Sequence, residues 1–566
     1  MSKKGFFVYF LIFLGLILFV FRSMIFKMSS SLYSWLDFPY VVWLIYQGIG
    51  KISNLSFGNF GATNAFYPVN DSYFFSDLFL PQSVLALPFS VLINNPILVI
   101  NIIFVLTFVL NYISLYLFWS VCFKKNWQCF LASIVFIFSP YLQLQFGHFQ
   151  MLSYWPLFFS LYFFIKEKQY SFWNSIIAGL FLIIQFLSSV YLSVFLIFSL
   201  CLKCIVDIFC IRKFQRIKSI LIVFLVFFIG AGWFIYNYSL AKKHYGFVRD
   251  YGEYVTYSAH ITDYIFNSNI NSMVSNFALE KKWNSFNKHV WGEMAAFPGW
   301  SVLLAFLFSL IVVLKKKGNV VLGINVNNIN LFFLCLVVFG FVFSIGPRIN
   351  FNGVYSGIPT PYTFLIKYVP FFDSIRGLAR WSFLFYLGLT YFFVSFLQNK
   401  KLLMIMVFLL IFFCESLPVN LIAGSEIYVD PKDDVLLKTN CDKNIEVLLE
   451  IPTDHMRVEG GVVKGLNYIS KRQLATLYHG CLLVNGYSGF EPPEQTKYYN
   501  DVGDALSGGK VKVLITLLES RQVSFLRITS NLVSIELKEK YMNTINGMIK
   551  SGKLIKMSDS LYKVSY

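Results

Sequence analysis

Long apolar runs separated by short basic segments fill the chain as far as about residue 416. A run of roughly 20 apolar residues is long enough to cross a bilayer as a helix. The pattern predicts eleven spans: an uncleaved first span within residues 1–21, then Ile97–Phe123, Cys129–Tyr141, Tyr154–Ile165, Trp173–Ser189, Tyr191–Cys210, Ser219–Leu240, Trp300–Leu314, Ile329–Gly346, Trp381–Leu397 and Leu402–Ser416.

One further apolar stretch, Ser83–Ile93, is too short to span and is punctuated by prolines. We predict that it is interfacial or re-entrant. Three long external loops then follow, at Lys27–Pro96, Ala241–Gly299 and Pro347–Arg380.

From about Leu417 the long apolar runs give way to shorter alternating patterns, as in NIEVLLEIP and KVKVLITLLESRQVSFLRI. Such alternation predicts short strands mixed with helices. The expected fold is therefore a mainly α polytopic domain over residues 1–416, followed by a small α/β or α+β domain over residues 417–566.

Composition agrees with a membrane protein, because only 13% of the residues are charged and the mean hydropathy is +0.62. Soluble domains carry roughly 25% charged residues. The net charge of +18 does not indicate nucleic-acid binding, since Lys and Arg are spread in short clusters between the spans. The lipid bilayer is the expected partner.

These basic clusters fix the predicted orientation, because loops rich in Lys and Arg stay on the cytoplasmic side. We expect a multi-pass protein of the inner (cell) membrane with a cytoplasmic N-terminus and the region from Leu417 outside. This topology puts 27 of the 29 acidic residues and all six histidines outside. The clusters are Lys3-Lys4, Lys124-Lys125, Lys166–Lys168, Ile211–Lys218, Lys315–Lys317 and Lys400-Lys401.

The cysteines give little functional information. Cys201, Cys204 and Cys210 lie in an apolar helix without a nearby His and are expected to be packing residues. Cys441 and Cys481 could pair in an oxidising compartment, and the sequence alone does not decide whether they do.

Acidic residues in the first external loop are the main candidates for chemistry. Asp37 lies in an amphipathic segment rich in aromatic residues, where partial dehydration strengthens a carboxylate as a base. The alternative for Asp37 is a solvated helix cap. Asp71 follows Asn in a turn-like VND and is expected to be a cap. Asp77 lies among large apolar side chains and is a functional candidate.

Two other segments could bind phosphate. A link after Ser139-Pro140 presents His148 and Gln150, although the His could simply be satisfied by a backbone carbonyl. Arg376 and Arg380 are four residues apart, which predicts one face of a helix. Guanidinium groups suit phosphate oxygens, while interfacial snorkelling or a pair with Asp373 are the alternatives.

No soluble-enzyme motif is present in the sequence: no phosphate-cradling Gly loop, dinucleotide fingerprint, HExxH or Ser elbow. We therefore expect no cofactor and assign no metal ligands; a divalent metal is the alternative, for which the sequence gives no indication. The cytoplasmic loops are too short to form a nucleotide-sugar domain.

Four segments together resemble a bacterial family of large membrane proteins related to the C-type glycosyltransferase superfold (GT-C): Ala65–Asn101, Phe136–Phe159, Ile358–Trp381 and Leu483–Pro493. The resemblance implies a catalytic Asp in the first external loop, a position that Asp37 occupies. It also implies a polyprenyl-phosphate-linked sugar donor and inverting transfer on the outer face.

The preferred function is an integral membrane glycosyltransferase of the cell envelope, acting on a glycan, lipid or protein acceptor. Asp37 would be the catalytic base, and Asp77, His148, Gln150, Arg376 and Arg380 would bind substrate. The alternative is a non-catalytic scaffold or a transporter in envelope glycan assembly. Few polar residues lie deep in the spans, which favours a scaffold over an ion-coupled carrier; they are Asn101, Asn111, Gln185 and Asp207.

Overall fold

The computed structural model describes residues 2–566 apart from short gaps and one longer one. The residues not described are 34–36, 56–57, 167–170, 213, 266–293, 295, 316–319, 322–323, 326–327, 370–371, 399, 417–424, 427–430, 442–444, 454–457 and 459–461. Part of the predicted second external loop and the predicted boundary at Leu417 lie outside the described residues.

Helices dominate the described part of the chain. In chain order they are α1 Lys3–Val20, α2 Arg22–Ile25, α3 Asp37–Ser53, α4 Leu80–Leu92, α5 Pro96–Cys122, α6 Asn126–Ile137, α7 Pro140–Leu144, α8 Phe149–Leu152, α9 Trp155–Ile165, α10 Phe172–Ser188, α11 Val190–Ile211, α12 Gln215–Tyr245, α13 Tyr251–Thr256, α14 Trp300–Lys315, α15 Asn328–Ser344, α16 Tyr362–Tyr368, α17 Ser382–Leu397, α18 Leu402–Ser416, α19 Pro431–Asn440, α20 Val462–His479, α21 Pro493–Ser507, α22 Val511–Ser520 and α23 Ile535–Lys550.

An apolar helix lies at each predicted span, with ends that differ by a few residues. Among the described residues, five helices are long and apolar enough to cross a membrane, and seven shorter apolar helices accompany them. The count of eleven spans therefore stays a prediction. The stretch predicted to be interfacial or re-entrant forms α4, which has 13 residues and contains Pro88.

The strands are β1 Ser31–Leu32, β2 Val320–Val321, β3 Ile324–Asn325, β4 Arg348–Phe351, β5 Val354–Pro359, β6 Ser425–Glu426, β7 Val447–Ile451, β8 Leu482–Leu483, β9 Val523–Ile528, β10 Leu554–Lys556 and β11 Leu561–Val564. Five of them form one mixed sheet in the order β10-β11-β9-β7-β8. In this sheet β7 runs parallel to β8 and β9, whereas β11 is antiparallel to both of its neighbours.

The chain forms two compact units, each built from separate segments. The first comprises Met1–Phe26, Phe104–Gly232 and Val248–Ala423, and the second comprises Lys27–Ile103, Trp233–Phe247 and Gly424–Tyr566. The second unit thus joins the first external loop to the tail, as in the antiparallel pair of β1 with β6. The predicted division at residues 416 and 417 stays a prediction.

Small residues let two helices of the first unit approach closely. A Cβ added at Gly388 on α17 would lie 2.6 Å from the carbonyl oxygen of Phe333, and one at Gly340 on α15 would lie 2.3 Å from the amide nitrogen of Phe385. Aromatic rings fill the surrounding core, where Phe195 packs against both Trp381 and Phe383. This packing fixes α17 and the 3-10 turn that precedes it, which carries Arg380.

The polar residues of the spans bond to groups of the protein itself. Asn111 donates to the carbonyl of Leu152 at 2.6 Å, and Gln185 accepts from the amide of Leu157 at 3.0 Å. Asp207 is 1% exposed and pairs with Lys203 and with Arg216. In the second unit, Asn101 donates to the carbonyls of Met28 and Ser31.

The mixed sheet of the second unit has an apolar core and a covalent link. One side of the sheet packs against α21, α22 and α23 through residues such as Leu449, Leu514 and Ile545. A disulfide joins Cys441, just after α19, to Cys481, just before β8. The pairing that the sequence leaves undecided is therefore present in the structure.

Candidate active site

Asp37 begins α3 in the second unit, and its half-buried carboxylate has a defined partner. The hydroxyl of Tyr487 donates a hydrogen bond to Asp37 Oδ1 at 2.6 Å. One turn along α3, the hydroxyls of Tyr40 and Ser488 share a hydrogen bond of 3.1 Å. The rings of Tyr40 and Tyr487 meet edge to face with their centroids 5.4 Å apart. The start of α3 is thus held by the segment Asn485–Phe490.

This segment is fixed by contacts that involve its backbone. The amide side chain of Asn485 accepts from the backbone nitrogen of Glu450 and donates to the carbonyl of the same residue. The amide of Tyr487 donates to Gln473 Oε1 at 2.8 Å. At Gly486 an added Cβ would lie 2.3 Å from the Phe66 ring, so a larger residue would have to displace that ring.

Asp77 lies in the same unit and is 8% exposed. Its neighbourhood is fixed by Tyr238, whose hydroxyl donates to the carbonyl of Ser76 at 2.6 Å. Burial raises the pKa of Tyr40 to about 12; hydrogen bonds to Ser488 and Ser76 oppose this shift, and the charges of Asp77 and Asp37 add to it. The two acids singled out from the sequence therefore both act on Tyr40.

Asp71 is more exposed than Asp77. It occupies the N-cap position of the 3-10 helix Ser72–Phe75, as predicted, although its side chain makes no capping hydrogen bond there. Its Oδ2 instead lies 3.8 Å from Nδ1 of His244, on a side chain that is 70% exposed. An exposed pair of this kind contributes little to stability.

Arg376 and Arg380 lie in the first unit, where two tyrosines orient them. The Arg376 guanidinium lies 4.5 Å from the ring centroid of Tyr257, and that of Arg380 lies 4.7 Å from the centroid of Tyr191. The Tyr191 hydroxyl also accepts from the amides of Arg376 and Gly377, at 3.1 Å each.

The predicted shared helix face is wrong. Arg376 lies before Gly377 in an irregular segment, and Arg380 lies on the 3-10 helix Leu378–Trp381. The spacing of four residues does not correspond to an α-helix here, so the stacking tyrosines set the directions of the two guanidinium groups.

A third arginine, Arg249, lies close to this pair. Burial lowers the pKa of Arg249; the nearby Tyr191 raises it, and the positive charge of Arg376 lowers it further. Its Nη1 pairs with Glu253 at 3.2 Å. The sequence analysis missed Arg249, because an Arg four residues before a Glu reads as an ordinary local ion pair.

His148 and Gln150 lie around α8 in the first unit, and both are half-buried. The amide of His148 donates to the carbonyl of Gln145 at 2.9 Å, and its own carbonyl accepts from the amide of Met151 at 2.8 Å. These bonds fix the backbone of the link. The substrate-binding roles of His148 and Gln150 stay predictions.

Among the residues that the structure describes, no group of three or more His, Cys, Asp or Glu side chains could hold a metal ion. The expectation that the protein uses no cofactor stays a prediction.

Residues 40–414 match the family profile described as a domain of unknown function, DUF6311. The chain belongs to this family. A comparison with curated proteins finds no match for this DUF6311 chain.

Solved structures resemble the DUF6311 chain over nearly its whole length. The arabinofuranosyltransferase AftD from Mycobacteria matches with a TM-score of 0.60 and 11% identity, over 100% of this chain and 40% of that one. The archaeal oligosaccharyltransferase AglB from Archaeoglobus fulgidus, in complex with an inhibitory peptide and a dolichol-phosphate, matches with a TM-score of 0.50 and 11% identity, over 99% of this chain and 74% of that one. The Archaeoglobus fulgidus oligosaccharyltransferase tethered to an acceptor peptide matches with a TM-score of 0.51 and 11% identity, over 93% of this chain and 69% of that one.

The DUF6311 chain therefore has the fold of GT-C glycosyltransferases, and the fold implied by the sequence resemblance is confirmed. It spans 40% of the length of the AftD chain. At 11% identity the likeness establishes the fold and leaves the activity to be argued from the site.

Proposed function

We propose that the protein is an integral membrane glycosyltransferase. It would transfer a sugar from a polyprenyl-phosphate-linked donor to an envelope glycan, lipid or protein on the outer face of the bacterial inner membrane. The observation that carries the proposal is the Asp37 carboxylate, held by the Tyr487 hydroxyl at 2.6 Å in a chain with the GT-C fold. Asp37 lies in the first external loop, where the sequence resemblance implies a catalytic acid.

In the proposed reaction, Asp37 takes the proton of the acceptor hydroxyl. The hydroxyl oxygen attacks the anomeric carbon as the bond from that carbon to the phosphate oxygen breaks, and the electron pair of this bond leaves with the phosphate. A single displacement of this kind inverts the configuration. General-base assistance typically contributes roughly 10²–10⁴-fold to the rate.

The leaving phosphate gains negative charge in the transition state and needs fixed cations. We assign this role to Arg376 and Arg380, with Arg249 as a third contributor and His148 and Gln150 as further contacts. Support comes from the tyrosines that hold two of the guanidinium groups in set directions. The arginines and Asp37 belong to different units, and each set is assigned from its own contacts.

Asp77 is assigned to the acceptor. Its buried position and its charge beside Tyr40 suit a carboxylate that accepts hydrogen bonds from sugar hydroxyls near the base.

A location of the tail outside the cytoplasm is supported by the Cys441–Cys481 disulfide. Disulfides form and persist in oxidising compartments and are rare in the cytosol. This agrees with the orientation proposed from the basic clusters, in which the N-terminus is cytoplasmic.

The second candidate remains a non-catalytic scaffold or a transporter in envelope glycan assembly. A carrier uses polar residues inside its spans to bind its cargo. Asn111 and Gln185 instead bond to the backbone, and Asp207 pairs with two cations, which favours structural roles. An ion-coupled carrier is therefore the weaker candidate.

The experiment that tests the proposal is transfer by the purified protein in proteoliposomes. Polyprenyl-phosphate-linked donors with different radiolabelled sugars are supplied with membrane glycan, lipid and peptide acceptors. We expect label to move to an acceptor from at least one donor. Binding of lipid-linked sugars without any transfer would favour the scaffold.

A further inference from the structure

We propose that Tyr487 is a positioning residue for the Asp37 carboxylate, supplied by the tail of the chain. This inference deepens the proposed function and rests on it for the role of Asp37 as the base. Tyr487 lies 450 positions after Asp37, yet both belong to the second unit.

The geometry is that of a strong hydrogen bond. An O–H···O⁻ bond of 2.5–2.7 Å is typical of a charged acceptor, and the bond between Tyr487 and Asp37 is 2.6 Å. Such a bond favours the ionised carboxylate over the protonated one. It also restricts rotation of the carboxyl group, so that its oxygens keep a fixed direction. The first effect keeps the carboxylate ionised down to lower pH at some cost in basicity, and the second aims its oxygens at the proton to be taken.

The position of the segment does not depend on the Tyr487 hydroxyl. The side chain of Asn485 bonds to the backbone of Glu450, and the backbone amide of Tyr487 donates to Gln473. Further along, the ring of Phe490 stacks on that of Phe247 with centroids 4.7 Å apart. Removing the hydroxyl should therefore leave the segment in place, and the hydroxyl is the part of Tyr487 that acts on Asp37.

The first test is the pH dependence of transfer by Tyr487→Phe in the full-length protein. We expect kcat/KM to fall about tenfold, the order expected for a hydrogen bond to a charged group. The acidic limb of the profile should move to higher pH, because the carboxylate loses the donor that favours its charge. The KM for the lipid-linked donor should not change. The matched control is Tyr498→Phe, which removes a hydroxyl from the same unit that donates to the Leu517 carbonyl.

The second test does not depend on activity. Dicyclohexylcarbodiimide reacts with protonated carboxyl groups, and mass spectrometry gives the extent of labelling of Asp37 against pH. Tyr487→Phe should raise labelling at neutral pH several-fold, while Tyr498→Phe should behave as the wild type.

The two tests separate the two ideas. If no donor supports transfer, the proposed function fails, and the labelling still decides the role of Tyr487. If wild type transfers sugar but Tyr487→Phe keeps both the wild-type pH profile and the wild-type labelling, the inference is overturned while the proposed function stands.

Discussion

At the scale of single residues, aromatic neighbours hold the candidate side chains of each unit in place. Tyr487 bonds to Asp37, whereas Tyr257 and Tyr191 stack on Arg376 and Arg380. A phenol can donate a hydrogen bond and also offer a ring face to a cation, so one residue type suits both tasks.

The arginines lead to a prediction about donor binding. Lys keeps the charge but cannot form the planar two-pronged contact of Arg with a phosphate. We therefore expect Arg376→Lys, Arg380→Lys and Arg249→Lys each to lower kcat/KM for the lipid-linked donor about tenfold, the order of one charged hydrogen bond. The steady-state kinetics of purified variants would check this.

The control for that series is Arg348→Lys, because Arg348 is exposed on β4 and lies over the Tyr251 ring. It should bind the donor as the wild type does. If kcat/KM for the donor is unchanged in the protein that carries both Arg376→Lys and Arg380→Lys, the phosphate is held elsewhere, and His148 and Gln150 become the next candidates.

The sequence identifies some of the candidate catalytic and binding residues and misses others. Asp37 and Asp77 stand out as acids in apolar surroundings, and Arg376 and Arg380 as a close pair of cations. Tyr487 lies in Leu483–Pro493, one of the segments that carry the resemblance, but its role could not be found, because its partner is 450 residues away in the sequence. The predicted orientation of the arginines is wrong, because spacing alone does not show that residues 375–377 are irregular and that Arg380 lies on a 3-10 helix.

At the scale of secondary-structure elements, buried charges connect the helices and strands of the second unit. Glu450 on β7 pairs with Arg472 on α20 and Arg527 on β9, and both arginines also pair with Asp434 on α19. His479 at the end of α20 is 2% exposed and accepts a hydrogen bond from the amide of Cys481. Removing one partner from the buried ion pairs of Glu450 and Asp434 with Arg472 and Arg527 is expected to be strongly destabilising.

Because His479 is buried, we expect the second unit to lose folding stability in mild acid. Burial holds its pKa well below the ordinary value of 6.5, and the charges of Arg527 and Arg472 lower it further. The unfolded state therefore takes up a proton as the pH falls below about 6.5, while the folded state stays neutral. The stability of the unit should fall by about 1.4 kcal/mol per pH unit over this window, until the folded-state pKa is reached.

Hydrogen exchange of the β7 and β9 amides in the full-length protein, corrected for intrinsic exchange at each pH, measures this stability. The slope between pH 6.5 and 5.5 should become shallower in His479→Gln. In His244→Gln, where the side chain is 70% exposed, the slope should match the wild type. Equal slopes in all three proteins would show that His479 is not the titrating group.

The hydrophobic pattern predicts the elements well, because an apolar run reports directly on burial in lipid or in a core. Thus the alternation in NIEVLLEIP contains β7 at Val447–Ile451. The pairing of β7 with β8 and β9 depends on contacts between distant segments, and no local pattern encodes it.

At the scale of the whole molecule, the resemblance seen in four short segments gives the correct fold, because GT-C proteins match over nearly the whole chain. The grouping of residues 27–103 with residues 424–566 in one unit was not predicted. It rests on contacts across several hundred residues, such as β1 with β6, for which neither partner has a distinctive pattern.

The topology makes a prediction that intact cells can test. Lys510 should face the outside and Lys125 the cytoplasm. A membrane-impermeant thiol reagent applied to spheroplasts should therefore label Lys510→Cys but not Lys125→Cys, in a background where the half-buried native cysteines are replaced. Labelling of the Lys510 variant only after permeabilisation would reverse the orientation.

If Asp37 is the base of a sugar transfer, removing its ability to take a proton must slow the transfer step itself. Single-turnover transfer from a labelled lipid-linked donor is compared in proteoliposomes for wild type, Asp37→Asn and Asp71→Asn. Asn keeps the shape of the side chain but cannot take a proton, so Asp37→Asn should lose roughly 10²–10⁴-fold in rate. Asp71→Asn makes the same change in the same loop, on a half-exposed side chain, and should transfer at close to the wild-type rate. A wild-type rate in Asp37→Asn would show that Asp37 is not the base.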